Sequence, residues 1–180
     1  MKKQILVVIL TFNLLPFNGC KCPEERYFDY KRINIEVAEA YISLNNRLLF
    51  IVNPEDRYFL AQKNSTLNWG FCAYATSVCE PGYDGEKYPI THIYISSNSD
   101  FDSNHLAGTE LNNLIKVYGT NSEGEYVFGY LKDFEISKIN PWYIYIESRP
   151  EIDKKHIFTI KFKKLNGEIV SGISEEVTWE

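Results

Sequence analysis

The sequence predicts an all-β protein, a two-layer antiparallel β-sandwich of about eight strands with one short helix. Apolar and polar residues alternate in short runs, and these runs are rich in Ile, Val, Tyr, Phe and Thr, which suit a pleated, half-buried surface. Turn residues separate the runs, and strands do not alternate regularly with helices. A closed β-barrel is the alternative architecture for this pattern.

Eight segments fit a strand, and the seventh carries the clearest signal. In it Phe158, Ile160 and Phe162 face one side while the intervening polar residues face the other. Asn166-Gly167 follows at once, a pair that suits a type I′ turn, so the last two strands should form a hairpin. The predicted strands are 27–37, 47–52, 57–62, 90–96, 125–132, 142–147, 156–165 and 168–179.

One helix is predicted, over 109–118. Thr109 can cap its start and Gly119 can end it. The apolar residues between them recur at helical spacing, which favours a helix with one face on the sheet; they are Leu111, Leu114, Ile115 and Tyr118. The two firmest turns are expected at 53–56 and 81–85.

The first twenty residues are typical of a bacterial lipoprotein signal. Lys2 and Lys3 precede an apolar run over 5–15, and Gly19-Cys20 follows. The run is shorter than the roughly 20 apolar residues that cross a bilayer. We therefore expect cleavage before Cys20 and acylation of its thiol, and an ordinary cleaved signal with a free cysteine is the alternative.

This cleavage divides the chain into a signal peptide over 1–19, a tether over 20–26 and a single domain over 27–180. The whole chain has 19 basic and 24 acidic residues, a net charge of −5. Such an acidic balance argues against a nucleic-acid partner and against electrostatic adhesion to anionic lipid. Membrane contact should therefore come through the acyl chains.

The other cysteines suggest a disulfide in an oxidising compartment. Cys72 and Cys79 enclose six residues, and a bond between them is the favoured pairing. Cys22 is then left over, and it could instead replace one member of the pair. A zinc site is the competing interpretation, without a Cys-x-x-Cys motif or a nearby His pair to support it.

The sequence contains no G-x-S-x-G, H-E-x-x-H, P-loop or G-x-G-x-x-G motif, so it predicts neither catalytic residues nor a cofactor. The three histidines, His92, His105 and His156, are expected at the surface or in caps, with His92 on the solvent face of its strand and His156 solvated.

The densest polar cluster runs from Asp100 to Asn104. Asp100, Asp102 and Asn104 match the first ligands of a calcium loop, but His105 stands where that loop needs glycine. We therefore expect the carboxylates to bond backbone amides and no metal to bind. Phe101 should point inward, against the apolar stripe of the predicted helix.

Aromatic residues in the irregular stretch around Cys72 could stack on sugars or anchor a protein partner. They are Trp69, Tyr74, Tyr83 and Tyr88. The alternative is that these rings fill a core that contains no methionine after Met1.

The segment 69–119, WGFCAYATSVCEPGYDGEKYPITHIYISSNSDFDSNHLAGTELNNLIKVYG, resembles the central block of a family of Bacteroidota lipoproteins without assigned activity. Members carry an Ala-Cys segment, a strand, Ser-x-x-Asp-Phe, a Gly-Thr step and an Asn-containing helix. The resemblance extends to the lipoprotein signal and the late hairpin. It implies an envelope location and adds no catalytic residue.

The sequence thus favours a lipid-anchored module of the cell envelope, on the outer membrane and facing either the periplasm or the surface. Its expected role is binding or structural, with a glycan or a partner protein as ligand. The alternative is an envelope hydrolase whose site assembles from loops around Asp100, Asp102 and His105.

Overall fold

The computed structural model describes residues 25–38, 41–42, 47–61 and 80–180. These residues form eleven strands and three short 3₁₀ turns, with no α-helix among them. The strands are β1 (Tyr27–Asp29), β2 (Arg32–Val37), β3 (Tyr41–Ile42), β4 (Leu48–Glu55), β5 (Tyr58–Leu60), β6 (Ile90–Ser97), β7 (Ile115–Thr120), β8 (Tyr126–Tyr130), β9 (Ile139–Ile146), β10 (Lys155–Lys164) and β11 (Ile169–Trp179).

The strands form two larger sheets and one small one. The five-stranded sheet has the order β2-β4-β9-β7-β8, the four-stranded sheet has the order β3-β11-β10-β6, and β1 pairs with β5. The neighbours in the two larger sheets are antiparallel, apart from a two-residue parallel pairing of β3 with β11. The prediction of an all-β, largely antiparallel fold is confirmed.

The core lies where the inner faces of the two larger sheets meet, so the predicted sandwich is confirmed and the barrel alternative is wrong. Phe50 of β4 packs edge-on against Phe158 of β10, with ring centroids 5.0 Å apart. Trp142 of β9 meets Phe162 of β10 at 6.0 Å. Gly172 of β11 lies so close to β2 that an added Cβ would be 2.6 Å from the nearest backbone carbonyl oxygen.

The predicted helix over 109–118 is wrong. Asn112–Leu114 is a single 3₁₀ turn, and the chain then enters β7. Within β7, Ile115 and Val117 are buried while Lys116 and Tyr118 are only half-buried, a period of two. Because β7 pairs with β8 on one side and β9 on the other, sheet pairing overrides the helical spacing of its apolar residues.

Two predicted turns differ in detail. Strand β4 continues through Pro54, which pairs with Ile33, and the chain turns at Asp56, where φ is +51°. The late hairpin is confirmed, but Gly167 has a positive φ and Asn166 does not, so the turn is not type I′. The side chain of Asn166 instead accepts a 3.0 Å hydrogen bond from the backbone N–H of Glu168.

The described residues divide into two compact units. The first contains residues up to Phe28 and from Phe59 to Gly85, and the second contains Asp29–Tyr58 and Glu86–Glu180. In the first unit the turn predicted at 81–85 is confirmed, and its Asp84 forms a 2.8 Å ion pair with Arg26. A single domain over 27–180 stays a prediction.

Candidate ligand-binding face

The outer surface of the five-stranded sheet carries six aromatic side chains from three neighbouring strands. Alternate residues of a strand point to the same face, and the register aligns those of β7, β8 and β9. Tyr118 is opposite Phe128, and Lys116 is opposite both Tyr130 and Tyr145. We call this surface the aromatic face: Tyr118, Tyr126, Phe128, Tyr130, Tyr143 and Tyr145.

Four of the rings form a continuous cluster. Tyr118 stacks on Tyr126, with centroids 5.5 Å apart and planes within 14°. It also contacts Phe128 at 4.9 Å and the edge of Tyr145 at 5.9 Å. Phe128 and Tyr145 meet perpendicularly at 5.1 Å. These offset and edge-to-face geometries are the favoured ones for aromatic pairs, so the rings hold one another in place.

The aromatic face contains one buried ring and three exposed rings. Tyr145 is buried, and this burial, together with the neighbouring phenol of Tyr118, raises the pKa of its phenol and keeps it neutral. Tyr126, Tyr130 and Tyr143 are 62%, 40% and 42% exposed. The protein thus presents three phenol rings to solvent on one sheet. Contiguous exposed patches of this kind are uncommon on the surfaces of monomeric proteins.

Cations lie over the rings at one end of the face. The guanidinium of Arg47 is 4.7 Å from the centroid of Tyr145, and the ammonium groups of Lys116 and Lys132 are 4.8 Å and 5.3 Å from that of Tyr130. We call Arg47, Lys116 and Lys132 the cationic rim. Glu147 hydrogen-bonds Lys116, which raises the pKa of that ammonium and keeps it charged.

A shallow groove of about 590 Å³ adjoins the other end of the face. Tyr126 belongs to both, and Thr120, its partner across β7 and β8, also lines the groove. The rest of the lining mixes polar and apolar groups: Ser137, Lys138, Ile139, Asn140, Pro141 and Trp142. The arrangement therefore places hydrogen-bonding groups beside stacked rings.

This face was not predicted from the sequence, although the sequence contains a pattern that indicates it. Aromatic residues recur at a spacing of two in β8, at Tyr126, Phe128 and Tyr130, and in β9, at Tyr143 and Tyr145. Because 109–118 was predicted to be a helix, strand β7 was not predicted. This strand lies between β8 and β9 and brings their aromatic rows together. Of the loop aromatics singled out instead, Trp69 and Tyr74 lie outside the described residues.

The backbone hydrogen bonds predicted for the acidic loop after β6 are confirmed, although the loop leads to a 3₁₀ turn and not to the predicted helix. Asp100 accepts a 2.7 Å hydrogen bond from the backbone N–H of Ala107, and Asp102 accepts bonds from those of Asn104 and His105 at 2.8 Å and 2.9 Å. Phe101 is fully buried, as predicted. Its ring packs on two partners that the sequence did not indicate, described next.

The predicted solvation of His156 is wrong, because the imidazole is fully buried between the rings of Phe101 and Trp179, each 5.4 Å away. Its Nε2–H donates to the backbone carbonyl of Asp153, so Nδ1 accepts from the hydroxyl of Ser97 at 2.8 Å. Burial lowers the pKa of His156 and keeps the ring neutral.

His105 is also buried, contrary to a surface position, whereas His92 is exposed as predicted. Nδ1 of His105 lies 2.7 Å from a carboxylate oxygen of Asp102, and Nε2 lies 2.8 Å from Oδ1 of Asn113. Burial of Asp102 is the largest single influence and opposes its ionisation, but the bonds from the His105 ring and from the backbone N–H groups of Asn104 and His105 together outweigh it and lower the pKa of the carboxyl. Both ring nitrogens of His105 are thus engaged within the loop.

The predicted lipidation site Cys20, the disulfide pair Cys72 and Cys79, and the unassigned Cys22 lie outside the described residues, so these stay predictions. Among the described residues no helix combines the length and apolar character needed to span a bilayer. Comparisons of the chain with protein-family models, curated proteins and solved structures found no match. The resemblance to envelope lipoproteins stays a prediction as well.

Proposed function

We propose that the chain is a lipid-anchored module of the outer membrane, facing the periplasm or the surface, that binds a glycan through the aromatic face. The observation that carries the proposal is the cluster of Tyr118, Tyr126, Phe128 and Tyr145, which lies beside exposed phenols and a groove with both polar and apolar lining. Pyranose rings present apolar C–H faces that stack on aromatic rings, and hydroxyls that bond amides and phenols.

The chemistry of the exposed residues favours a glycan over a protein partner at this face. Its exposed large residues, Tyr126, Tyr130 and Tyr143, each combine a flat ring with a hydroxyl. The outer surface of the four-stranded sheet has one exposed tyrosine, Tyr94, beside aliphatic residues such as Ile169 and Ile173, which are 58% and 67% exposed. The aromatic face alone combines several exposed phenols on neighbouring strands, so it matches the mixed character of a sugar better.

An envelope hydrolase is the second candidate, and one contact favours it. Ser97 donates its hydroxyl proton toward a basic imidazole nitrogen of His156, the arrangement that activates a serine nucleophile. His156 is fully buried against Phe101, however, and Ser97 is only 4% exposed, so no substrate reaches the hydroxyl without displacement of the loop. Labelling of Ser97 by a fluorophosphonate probe would favour the hydrolase over the binding module.

The binding proposal is tested by calorimetric titration of the full chain, solubilised in detergent, with cello-, xylo- and chito-oligosaccharides and with oligogalacturonides. Binding by at least one of them is expected. Tyr126→Ala and Tyr130→Ala should each weaken it by about tenfold, because each removes one stacking ring. Tyr94→Ala is the matched control, since it removes an exposed ring from β6 in the other sheet.

Two results would contradict the proposal. One is the failure of every oligosaccharide to bind the folded chain. The other is equal loss of affinity in Tyr126→Ala and Tyr94→Ala, which would separate binding from the aromatic face. An envelope protein, and not a glycan, could retain the chain in a pull-down. If Tyr126→Ala abolished that retention, the aromatic face would be a binding site for a protein partner.

The anchor has its own test. Cys20→Ala should block acylation and leave the chain either unprocessed or released from the membrane fraction. Incorporation of labelled palmitate and membrane fractionation measure the two effects. Unchanged fractionation with undiminished palmitate labelling would contradict the lipidation proposal and would leave the glycan proposal intact.

A further inference from the structure

We infer that the glycan recognised by the aromatic face is acidic, with its carboxylate or sulfate groups placed at the cationic rim. The inference rests on the proposed function and adds the charge class of the ligand. It follows from the distribution of charge around the rings, which differs between the two ends of the face.

At the rim end, three cations surround the rings of Tyr130 and Tyr145. Lys116 donates a hydrogen bond to Glu147, which also lies 3.9 Å from Arg47. Asp133 follows Lys132 in the same 3₁₀ turn, so three cations stand beside two carboxylates and leave a local positive charge on a chain whose net charge is −5. An acidic surface elsewhere repels a polyanion, so an acidic glycan would be directed to this end of the face.

At the opposite end carboxylates outnumber cations, because Lys138 of the groove is paired with Glu135 at 3.3 Å and two further acids lie in the turn before β8. Strand β8 begins directly after Glu125, and Glu123 lies in the same exposed turn. A glycan lying along β8 therefore meets carboxylates near Tyr126 and cations near Tyr130. This asymmetry disfavours an anionic group at the groove end and orients the ligand along the strand.

The rings also prepare the cations for binding. Cation–π contacts hold Arg47 and Lys116 against the face, which reduces the side-chain freedom that a ligand would otherwise remove. The side chain of Arg47 is still 49% exposed, so its guanidinium fork remains open to a carboxylate. A planar guanidinium can bind a carboxylate through two parallel hydrogen bonds.

The experiment compares matched acidic and neutral ligands on the full chain. Oligogalacturonides are titrated beside their methyl esters, which have the same backbone without the charge, and carboxymethyl cellulose is compared with hydroxyethyl cellulose. The acidic member of at least one pair should bind about tenfold more tightly at low salt, and this advantage should shrink as sodium chloride screens the charges.

Variants separate charge from stacking. Arg47→Gln and Lys132→Gln should each reduce the acidic preference by about threefold to fivefold while affinity for the neutral ligand is kept. Lys161→Gln is the control, because it makes the same charge change on β10 of the other sheet. Tyr126→Ala should weaken both members of a pair.

The outcomes distinguish the claim of an acidic ligand from the claim of a glycan-binding face. Equal affinity for the acidic and neutral members, or a preference as sensitive to Lys161→Gln as to Arg47→Gln, overturns the acidic ligand and leaves the glycan-binding face in place. Failure of all four ligands while a neutral oligosaccharide of the titration panel still binds overturns the acidic ligand alone, and failure of every ligand of both panels overturns the proposed function and the inference together.

Discussion

The ammonium of Lys164 and the carboxylate of Asp29 form an ion pair in the interior, with Nζ 2.6 Å from Oδ1 and side chains only 0% and 1% exposed. The ammonium also donates to the backbone carbonyl of Tyr30 and lies over its ring. The second carboxylate oxygen accepts a 2.7 Å bond from the hydroxyl of Tyr58. The pair thus joins the end of β10 to Asp29 at the end of β1 through a cluster of hydrogen bonds.

Lys164→Met should destabilise the protein by about 3–5 kcal/mol, because it leaves the carboxylate of Asp29 buried without its cation. Denaturant unfolding followed by far-ultraviolet circular dichroism measures the change. Lys155→Met is the matched control: Lys155, also in β10, pairs with Glu176 at 3.0 Å on the surface, and its loss should shift the midpoint little. Equal effects of the two substitutions would contradict the role of the buried pair.

The same pair predicts a loss of stability in acid. Burial opposes ionisation of Asp29, but the bonds from Lys164 and Tyr58 outweigh it and lower the pKa of the carboxyl. The contribution is therefore fully present above the unfolded value of about 3.9 and is lost as the pH falls through the lower folded pKa. A stability profile against pH should lose this acid-dependent step in Asp29→Asn.

His156 should make stability fall at a higher pH. Its folded pKa lies below the ordinary value near 6.5, so its contribution is present above that value and is lost as the pH falls through the folded pKa. In His156→Gln the slope of stability between neutral and mildly acidic pH should become shallower. His92→Gln, which removes an exposed imidazole, is the control, and an identical change in both variants would count against a buried neutral ring.

The loop after β6 predicts a ranking of two substitutions. Phe101→Ala should cost about 3–5 kcal/mol, since it empties a fully buried site against His156 and Trp179. Asp102→Ala should cost less, about 2 kcal/mol, because it removes bonds to two backbone amides and leaves the buried imidazole of His105 without its partner. Thermal unfolding with and without calcium checks both. A calcium-dependent rise in the melting temperature that Asp102→Ala abolishes would reverse the ranking and make the loop a cation site.

Peptide mapping without reduction tests the cysteine prediction. A Cys72–Cys79 bond should appear as one linked fragment, and closing its short ring should add about 2–3 kcal/mol to stability. Alkylation of both thiols in the native chain would exclude the bond, and a fragment linked to Cys22 would replace the pairing.

Strands were predictable where one face of a strand is buried and the other is solvated. In β10, Phe158, Ile160 and Phe162 are fully buried, as their spacing indicated. Strand β7 was not predictable in the same way, because Ile115 and Tyr118 fit a helical stripe as well as a sheet. Only pairing with β8 and β9, which is not local in sequence, decides between the two.

The hydrogen bonds of the polar sites were likewise predictable only where they are local in sequence. The bonds of Asp100 and Asp102 are local, within seven residues along the chain, and the residue types alone predicted them. The partners of His156 and Lys164 lie 59 and 135 residues away in sequence, at Ser97 and Asp29. From sequence alone, a lysine or histidine in a strand is therefore predicted to be solvated. Its buried partner becomes known only from the fold.

Hydroxyl-radical footprinting shows directly which tyrosines a bound glycan covers. With the tightest-binding oligosaccharide of the titration panel at saturation, oxidation of Tyr126, Tyr130 and Tyr143 should fall several-fold, while oxidation of Tyr94 in the other sheet should not change. Protection of Tyr94 with the three face tyrosines still fully reactive would contradict a glycan-binding role for the aromatic face.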